Sequence, residues 1–443
     1  MDVILERSHE LKQALVDFVL DAEGELAQAL EVYAAEQLRR GSGDSTQQDL
    51  TIDSFLTDGK VGDRSPLELF IENHPDLTES DRSLINSWHH SFIGLFTITN
   101  IFPDGFELRN WLTDKHYIVK PNNTQTLQAI SRLKVGEILL SRISPVTDSY
   151  WMFSGPYTIM GKLGKPKLAV AIGNFKENYK SNLYSDAPDL LEEAWQSVEK
   201  YHQQFVDFFG TDELTLPGYQ LNKKIAELQE VITEKTFAAA GIDTSKSLAE
   251  VAEAAGIGDE EIKAAAQEFG ADSNIVSEMF NNKSSKSKMV MPKVDLPAEL
   301  KKAEQVTALS HPRWGQMFLP TYSKVQAILS AEDWQSVQGA EKLIRYYLED
   351  KSINAFIWHR LAQQYPTQLE KVLQTFLQRP FRLESDLDTL LQEFHKPIEP
   401  ELPDIASVPI HLHNLFQEAL GEVSKSKPKG KGQQKPAKGF QRS

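Results

Sequence analysis

Along residues 3 to 38, apolar side chains recur at Ile4, Leu11, Leu15, Phe18, Val19, Leu26, Leu30 and Val32. This is close to the three-and-four spacing that puts a stripe on one face of an amphipathic helix. The stretch RRGSGDSTQQD breaks the pattern with Gly, Ser, Asp and Gln and reads as a linker. Within 51–91, SPLELFIENH opens a helix with Ser65 as N-cap and Pro66 in its first turn, and ESDRSLINSWHHSF gives another.

From Phe92 the hydrophobic period shortens from near 3.6 to near 2. FIGLFTITNIF, GFELRNWL, HYIVK, GEILLSRI, SYWMFSG and KLAVAI are short runs rich in β-branched and aromatic residues, separated by turn-forming Pro, Gly, Asp and Asn. Six such strands over 92–172 predict a small antiparallel β-barrel, since closure hides strand edges.

Beyond the strands the pattern is helical again. DAPDLLEEAWQSVEKYHQQFVDFFG and GYQLNKKIAELQEVITEKTFAAAG each end on a glycine, and SLAEVAEAAGIGDEEIKAAAQEFG reads as a short helical hairpin, together filling 186–270. The polar stretch NNKSSKSK marks 271–296 as a flexible joint. A C-terminal helical domain is expected over 297–397, with helices near 321–330, 332–349, 353–378 and 385–396. Pro397, Pro400, Pro403 and Pro409 then impose an extended segment, followed by a short helix to 424. The fold class is α+β: N-terminal helices, a small barrel, a helical hairpin, a C-terminal helical bundle and a disordered basic tail at 425–443.

Composition narrows the function. With 443 residues, 40% hydrophobic and 25% charged, the chain has the make-up of a multidomain globular protein. No run of residues has the apolar length of a membrane-spanning helix, and the N-terminus carries charge in every turn instead of the apolar core of a secretory signal, so a cytoplasmic location is expected. The absence of cysteine removes disulfides, thiolate metal sites and Cys nucleophiles.

Most motif-like stretches lose their chemistry on inspection. The hairpin within 247–270 has helix-turn-helix length, yet Glu250, Glu253, Asp259, Glu260, Glu261 and Glu268 face a single Lys263, which argues against sequence-specific DNA because phosphate contacts supply the affinity. GPYTIMGK (155–162) departs from the phosphate-loop spacing and puts Leu163 where a Mg²⁺-binding hydroxyl belongs, so a β-turn is expected. WHRLAQQY (358–365) matches one tetratricopeptide helix without a second copy, as a bundle-core helix would. His89 with His90, and His411 with His413, have no third ligand nearby in sequence. No catalytic residue, cofactor or metal site is assigned.

Charge placement remains. The span 92–172 carries nine Lys and Arg against five Asp and Glu, a net of +4, and the tail adds +7, which leaves −27 elsewhere in a chain of net −16. Basic residues and aromatics together, as in small barrels that bind single-stranded nucleic acid, single out Arg109, Trp111, Lys115, Tyr117, Lys120, Arg132, Lys134, Arg142, Trp151 and Phe153. Tail residues Lys425, Lys427, Lys429, Lys431, Lys435, Lys438 and Arg442 can associate with RNA, with an anionic membrane surface or with the acidic body of the chain. The plainer reading is that the aromatics fill the barrel or meet a neighbouring domain and the cations keep the surface wet.

LFTITNIFPDGFELRNWLTDKHYIVK, then LKVGEILLSRISP and YWMFSGP, resembles a β-rich module of uncharacterised bacterial proteins associated with SEC-C-type tails. The zinc-binding tail of that family needs cysteines, so zinc is not carried over. The combined expectation is a non-enzymatic adaptor or assembly factor acting through protein–protein binding, with a protein that binds single-stranded RNA through barrel and tail as the alternative.

Overall fold

A computed structural model describes residues 2–38, 45–121, 133–239 and 289–426. These form two compact units: 2–187 with 410–426, and 188–239 with 289–409.

The first unit begins with helices α1 (Val3–Leu20), α2 (Glu25–Leu38), α3 (Ser45–Asp58), α4 (Pro66–Asn73) and α5 (Glu79–Ser87). The expected single helix over 3–38 is two, because the chain turns at Asp21–Gly24, where Gly24 has φ +69° and a β-carbon would be strained. Asp2 caps α1, while Ser65 with Glu68 and Thr78 with Asp81 form reciprocal capping boxes on α4 and α5. Their apolar faces gather Leu11, Leu15, Phe55, Phe70, Ile85 and Trp88 into one core, which Val146 and Met152 of the following sheet region join.

Strands β1 (Phe92–Phe102), β2 (Gly105–Asn110), β3 (His116–Lys120), β4 (Ile138–Pro145) and β5 (Trp151–Gly161) pair in a closed cycle, β1-β2-β3-β5-β4 and back to β1. Four pairings are antiparallel. The fifth, β3 with β5 through Val119↔Trp151 and Lys120↔Met152, is parallel, so the all-antiparallel expectation is corrected. Register shifts at Ile98/Asn100, Ile138/Leu139 and Ser141/Ile143 supply the bends that curvature needs. Phe92, Phe96, Phe106, Leu108, Val119, Ile143 and Phe153 fill the interior. Gly105 is required at the β1–β2 turn, since a β-carbon there would stand 2.7 Å from the Val119 carbonyl oxygen.

Two sequence readings here are overturned. KLAVAI is part of helix Lys165–Asn178, because Pro166 sits in its first turn and Leu168, Ala171, Ile172 and Phe175 are buried at helical spacing. GPYTIMGK continues β5 instead of turning, with Tyr157 opposite Ser141 and Ile159 opposite Leu139. The C-terminal helix Ile410–Ser426 packs on helix Lys165–Asn178, and Lys165 meets Glu418 at 3.1 Å.

The second unit contains helix Pro188–Phe209, β6 (Glu213–Leu216), helix Gly218–Ala239, a two-residue strand β7 (Met289–Val290) paired with Val408–Pro409, then β8 (Val306–His311) and β9 (Gly315–Leu319). Strands β6, β8 and β9 form an antiparallel sheet, a structure absent from the helical expectation for this region. Five helices follow, Tyr322–Ser330, Ala340–Glu349, Ala355–Gln364, Pro366–Leu377 and Leu383–Glu393, around a core containing Tyr322, Tyr347, Trp358 and Leu361. The expected helix 353–378 is broken at Tyr365–Pro366, and 332–349 begins as a 3₁₀ turn at Trp334–Ser336. Trp358 and Leu361 are core residues, as the bundle reading of WHRLAQQY requires. The hairpin within 247–270 lies outside the described residues.

Candidate functional site

The residues chosen for a basic aromatic surface mostly turn inward or are paired. Arg142 on β4 is 1% exposed. Its guanidinium donates to Thr57 Oγ1 (2.7 Å), Ser54 Oγ (3.2 Å), the Ser91 carbonyl (3.3 Å) and Asp58. Asp53 lies 3.9 Å from Arg142 Nε and also holds Lys12 Nζ at 2.9 Å and the Ser154 hydroxyl at 2.8 Å. Two cations and two carboxylates thus join α1 and α3 to the closed sheet. Gly155 belongs to the same packing, because a β-carbon there would come within 3.2 to 3.3 Å of the Asp53 side chain. Phe153 is buried in the sheet interior, with Tyr117 and Trp151 packed against that cluster, their rings 5.2 Å apart. Arg142 and Phe153 therefore cannot present themselves to a nucleic acid, which corrects their assignment.

Cations nearer the surface are engaged as well, Arg109 by an acid five residues on, Lys115 and Lys120 by groups that distant segments bring to them. Lys120 Nζ lies 3.0 Å from Asp2, 3.1 Å from Asp104 and 4.2 Å from the Tyr150 ring centroid. Arg109 pairs with Asp114 and covers the Trp111 ring at 4.6 Å. Trp111 donates its indole N–H to Thr97, and its carbonyl meets His411 Nε2 at 2.8 Å. Lys115 donates to the Asp186 carbonyl oxygen, while one Asp186 carboxylate oxygen accepts from Asn110 (3.1 Å), Thr113 (2.7 Å) and Tyr117 (2.7 Å). Burial, followed by that carboxylate, pushes the Tyr117 phenol well above its usual range.

Among the described residues, Lys134, Lys162 and Lys167 form no ion pair. Lys425 lies in the last turn of helix Ile410–Ser426. Arg132, Lys427, Lys429, Lys431, Lys435, Lys438 and Arg442 lie outside the described residues.

Comparison with protein-family models, curated proteins and solved structures gives no match.

Each unit has a concave site among the described residues. In the first, α2 presents Glu25, Ala29, Val32 and Tyr33 beside Lys60 and Val61, around a groove of about 500 Å³ with buried Phe55 beneath. Val32 is 55% exposed, while Leu26, Leu30 and Tyr33 of the same helix pack into the core. In the second, Asp212, His311, Trp314, Phe356, His359 and Arg360 line a cleft of about 440 Å³. Sequence inspection did not find it, because Asp212, the β8–β9 turn and helix Ala355–Gln364 are far apart in the chain. The one local signal was the polar face of that helix, Phe356, His359, Arg360 and Gln363, opposite the buried Ile357, Trp358 and Leu361.

Proposed function

We propose that the protein is a non-enzymatic adaptor or assembly factor. Its N-terminal helices and closed sheet, which we read as a small barrel, act as one module that binds an amphipathic helix of a partner protein carrying Lys and Arg on its polar face. The observation that carries this reading is the groove beside α2, where Ala29, Val32 and Val61 form an apolar lining of the kind that helix-in-groove recognition uses. Its setting selects the sign of the partner: residues 1 to 91 hold nineteen Asp and Glu against seven Lys and Arg, a net of −12, which favours a cationic ligand and speeds its encounter.

The same pairing neutralises Arg109, Lys120 and Arg142, so three of the cations that phosphate would need are already engaged. This favours protein over RNA as the partner of the sheet module. The test is a titration of the full chain with a labelled amphipathic helix bearing Lys on its polar face, alongside the same peptide with Glu in place of Lys. The cationic peptide binds, the anionic one does not, and Val32→Gln weakens binding about fivefold through lost apolar contact. Equal binding of both peptides, or no effect at Val32, would refute the groove as the site.

A further inference from the structure

The cleft of the second unit has a charge imbalance. Helix Ala355–Gln364 forms one wall, Asp212 stands just before β6, His311 ends β8, and Trp314 lies in the β8–β9 turn. Arg360 reaches toward two carboxylates at once. Its Nη1 and Nη2 donate to the two oxygens of Asp212 at 2.7 and 2.9 Å, its Nε donates to Glu213 at 3.1 Å, and Nη2 also lies 3.0 Å from Glu213. With its N–H groups committed in this way, Arg360 has little left to offer an incoming anion. One guanidinium against two carboxylates leaves a unit of negative charge, and the Asp212 side chain remains 39% exposed. Arg360 holds the Asp212 carboxyl below its usual range, so it stays ionised at neutral pH.

His311 and His359, the two histidines in the lining, do not cancel that charge. His311 Nδ1 receives the backbone N–H groups of both Arg313 and Trp314 at 3.1 Å. A nitrogen that accepts from two donors carries no proton, so His311 is the neutral Nε2–H tautomer. Burial lowers its pKa further. His359 meets Asp388 at 2.7 Å, so even when protonated it forms a neutral pair. Arg313, next along the turn, is held over the Trp195 ring at 4.0 Å.

The rest of the lining is mixed: Trp314, Phe356 and the His311 ring, the last two with centroids 4.4 Å apart, together with Ala355, Gln363 and Ile398. Aromatic rings that share a cleft with an exposed carboxylate offer an organic cation both an electrostatic and an apolar contact. A metal ion would need a different donor set, and among the described residues no group of three His, Asp or Glu is arranged to hold one.

We propose that this cleft is a binding site for a small organic cation, an alkylated or quaternary ammonium group, recognised by the Trp314 and Phe356 rings and the Asp212 carboxylate. The site stands independently of the groove beside α2.

The experiment is calorimetric titration of the full chain with choline and, separately, with 3,3-dimethylbutan-1-ol, which has the same shape with carbon in place of the charged nitrogen. Choline binds saturably, and the neutral analogue binds at least about tenfold more weakly. This comparison uses the unaltered protein, so no misfolded variant can confuse it. Trp314→Leu, titrated well below its own thermal midpoint because Trp314 also packs on the core, weakens choline about tenfold. Asp212→Asn weakens it as well. The proposal is overturned if the neutral analogue binds as well as choline, if neither binds at millimolar concentration, or if Trp314→Leu leaves choline affinity unchanged.

Discussion

In the first unit, Lys12 and Arg142 meet Asp53 and Asp58 in a balanced set of four charges, whereas in the second a single Arg360 meets both Asp212 and Glu213. The first set lies where α1 and α3 pack on the closed sheet, with Arg142 almost wholly out of water. The second borders an open cleft. Buried charges must be matched, because each unpaired one costs several kcal/mol; at an open site an imbalance is tolerated by water and becomes available to a ligand. The contrast separates charge that holds the fold together from charge left over for recognition.

The largest expected effect tests the balanced side. Arg142→Ala leaves Asp53 and Asp58 without their guanidinium and should destabilise the first unit by about 3–5 kcal/mol, read by urea unfolding. A loss below about 1 kcal/mol would mean that water already reaches the network. Next, Gly155→Ala forces a methyl group against Asp53 and should cost about 1–3 kcal/mol in the same assay. A neutral result would show that the helical layer can move off the sheet.

On the unbalanced side, Arg360→Gln should raise the Asp212 pKa back toward an ordinary carboxylate, since Arg360 is the main cause of its depression. Carboxyl carbon NMR across an acid titration measures this, and an unchanged value would contradict the pairing. The pH dependence of the first unit has a definite sign. Asp2 is held at about 2, chiefly by the Tyr150 hydroxyl, and Arg7 holds Asp81 lower still. Carboxyls depressed in the folded state stabilise it above their unfolded pKa near 3.8. The docking of α1 should therefore be fully stable above about pH 5 and weaken as pH falls toward 2, followed by helical circular dichroism. Smallest of all, Lys165→Ala removes a pair in which both side chains are well exposed and should change stability by less than about 1 kcal/mol.

How much of this could be read in the chain depends on how local the cause is. Period 2 with intervening turns located β1 to β4 and the first half of β5, because alternation and turn chemistry act within a few residues. The mistaken strand KLAVAI shows the limit, since a short apolar run is ambiguous until its full burial period, Leu168 to Phe175, is seen. Strand β8 was not read because five of its six residues are buried, which removes the alternation. Apart from Arg109, which pairs with Asp114 five residues on, the fate of the sheet cations lay beyond local reading. Lys120 finds Asp2, Arg142 finds Asp58, and Lys115 finds the Asp186 backbone, partners separated by 71 to 118 residues. A net charge of +4 over a segment therefore said nothing about the charge its surface presents.

The most direct test of internal neutralisation is the salt dependence of single-stranded RNA binding by the full chain, compared with a variant carrying Arg109→Ala, Lys115→Ala and Lys120→Ala together. With these cations engaged by acids and carbonyls of the chain itself, affinity and the slope of log affinity against log salt should be the same in both proteins. A loss of affinity accompanied by a slope smaller by roughly one per cation removed would place all three on phosphate and contradict the account.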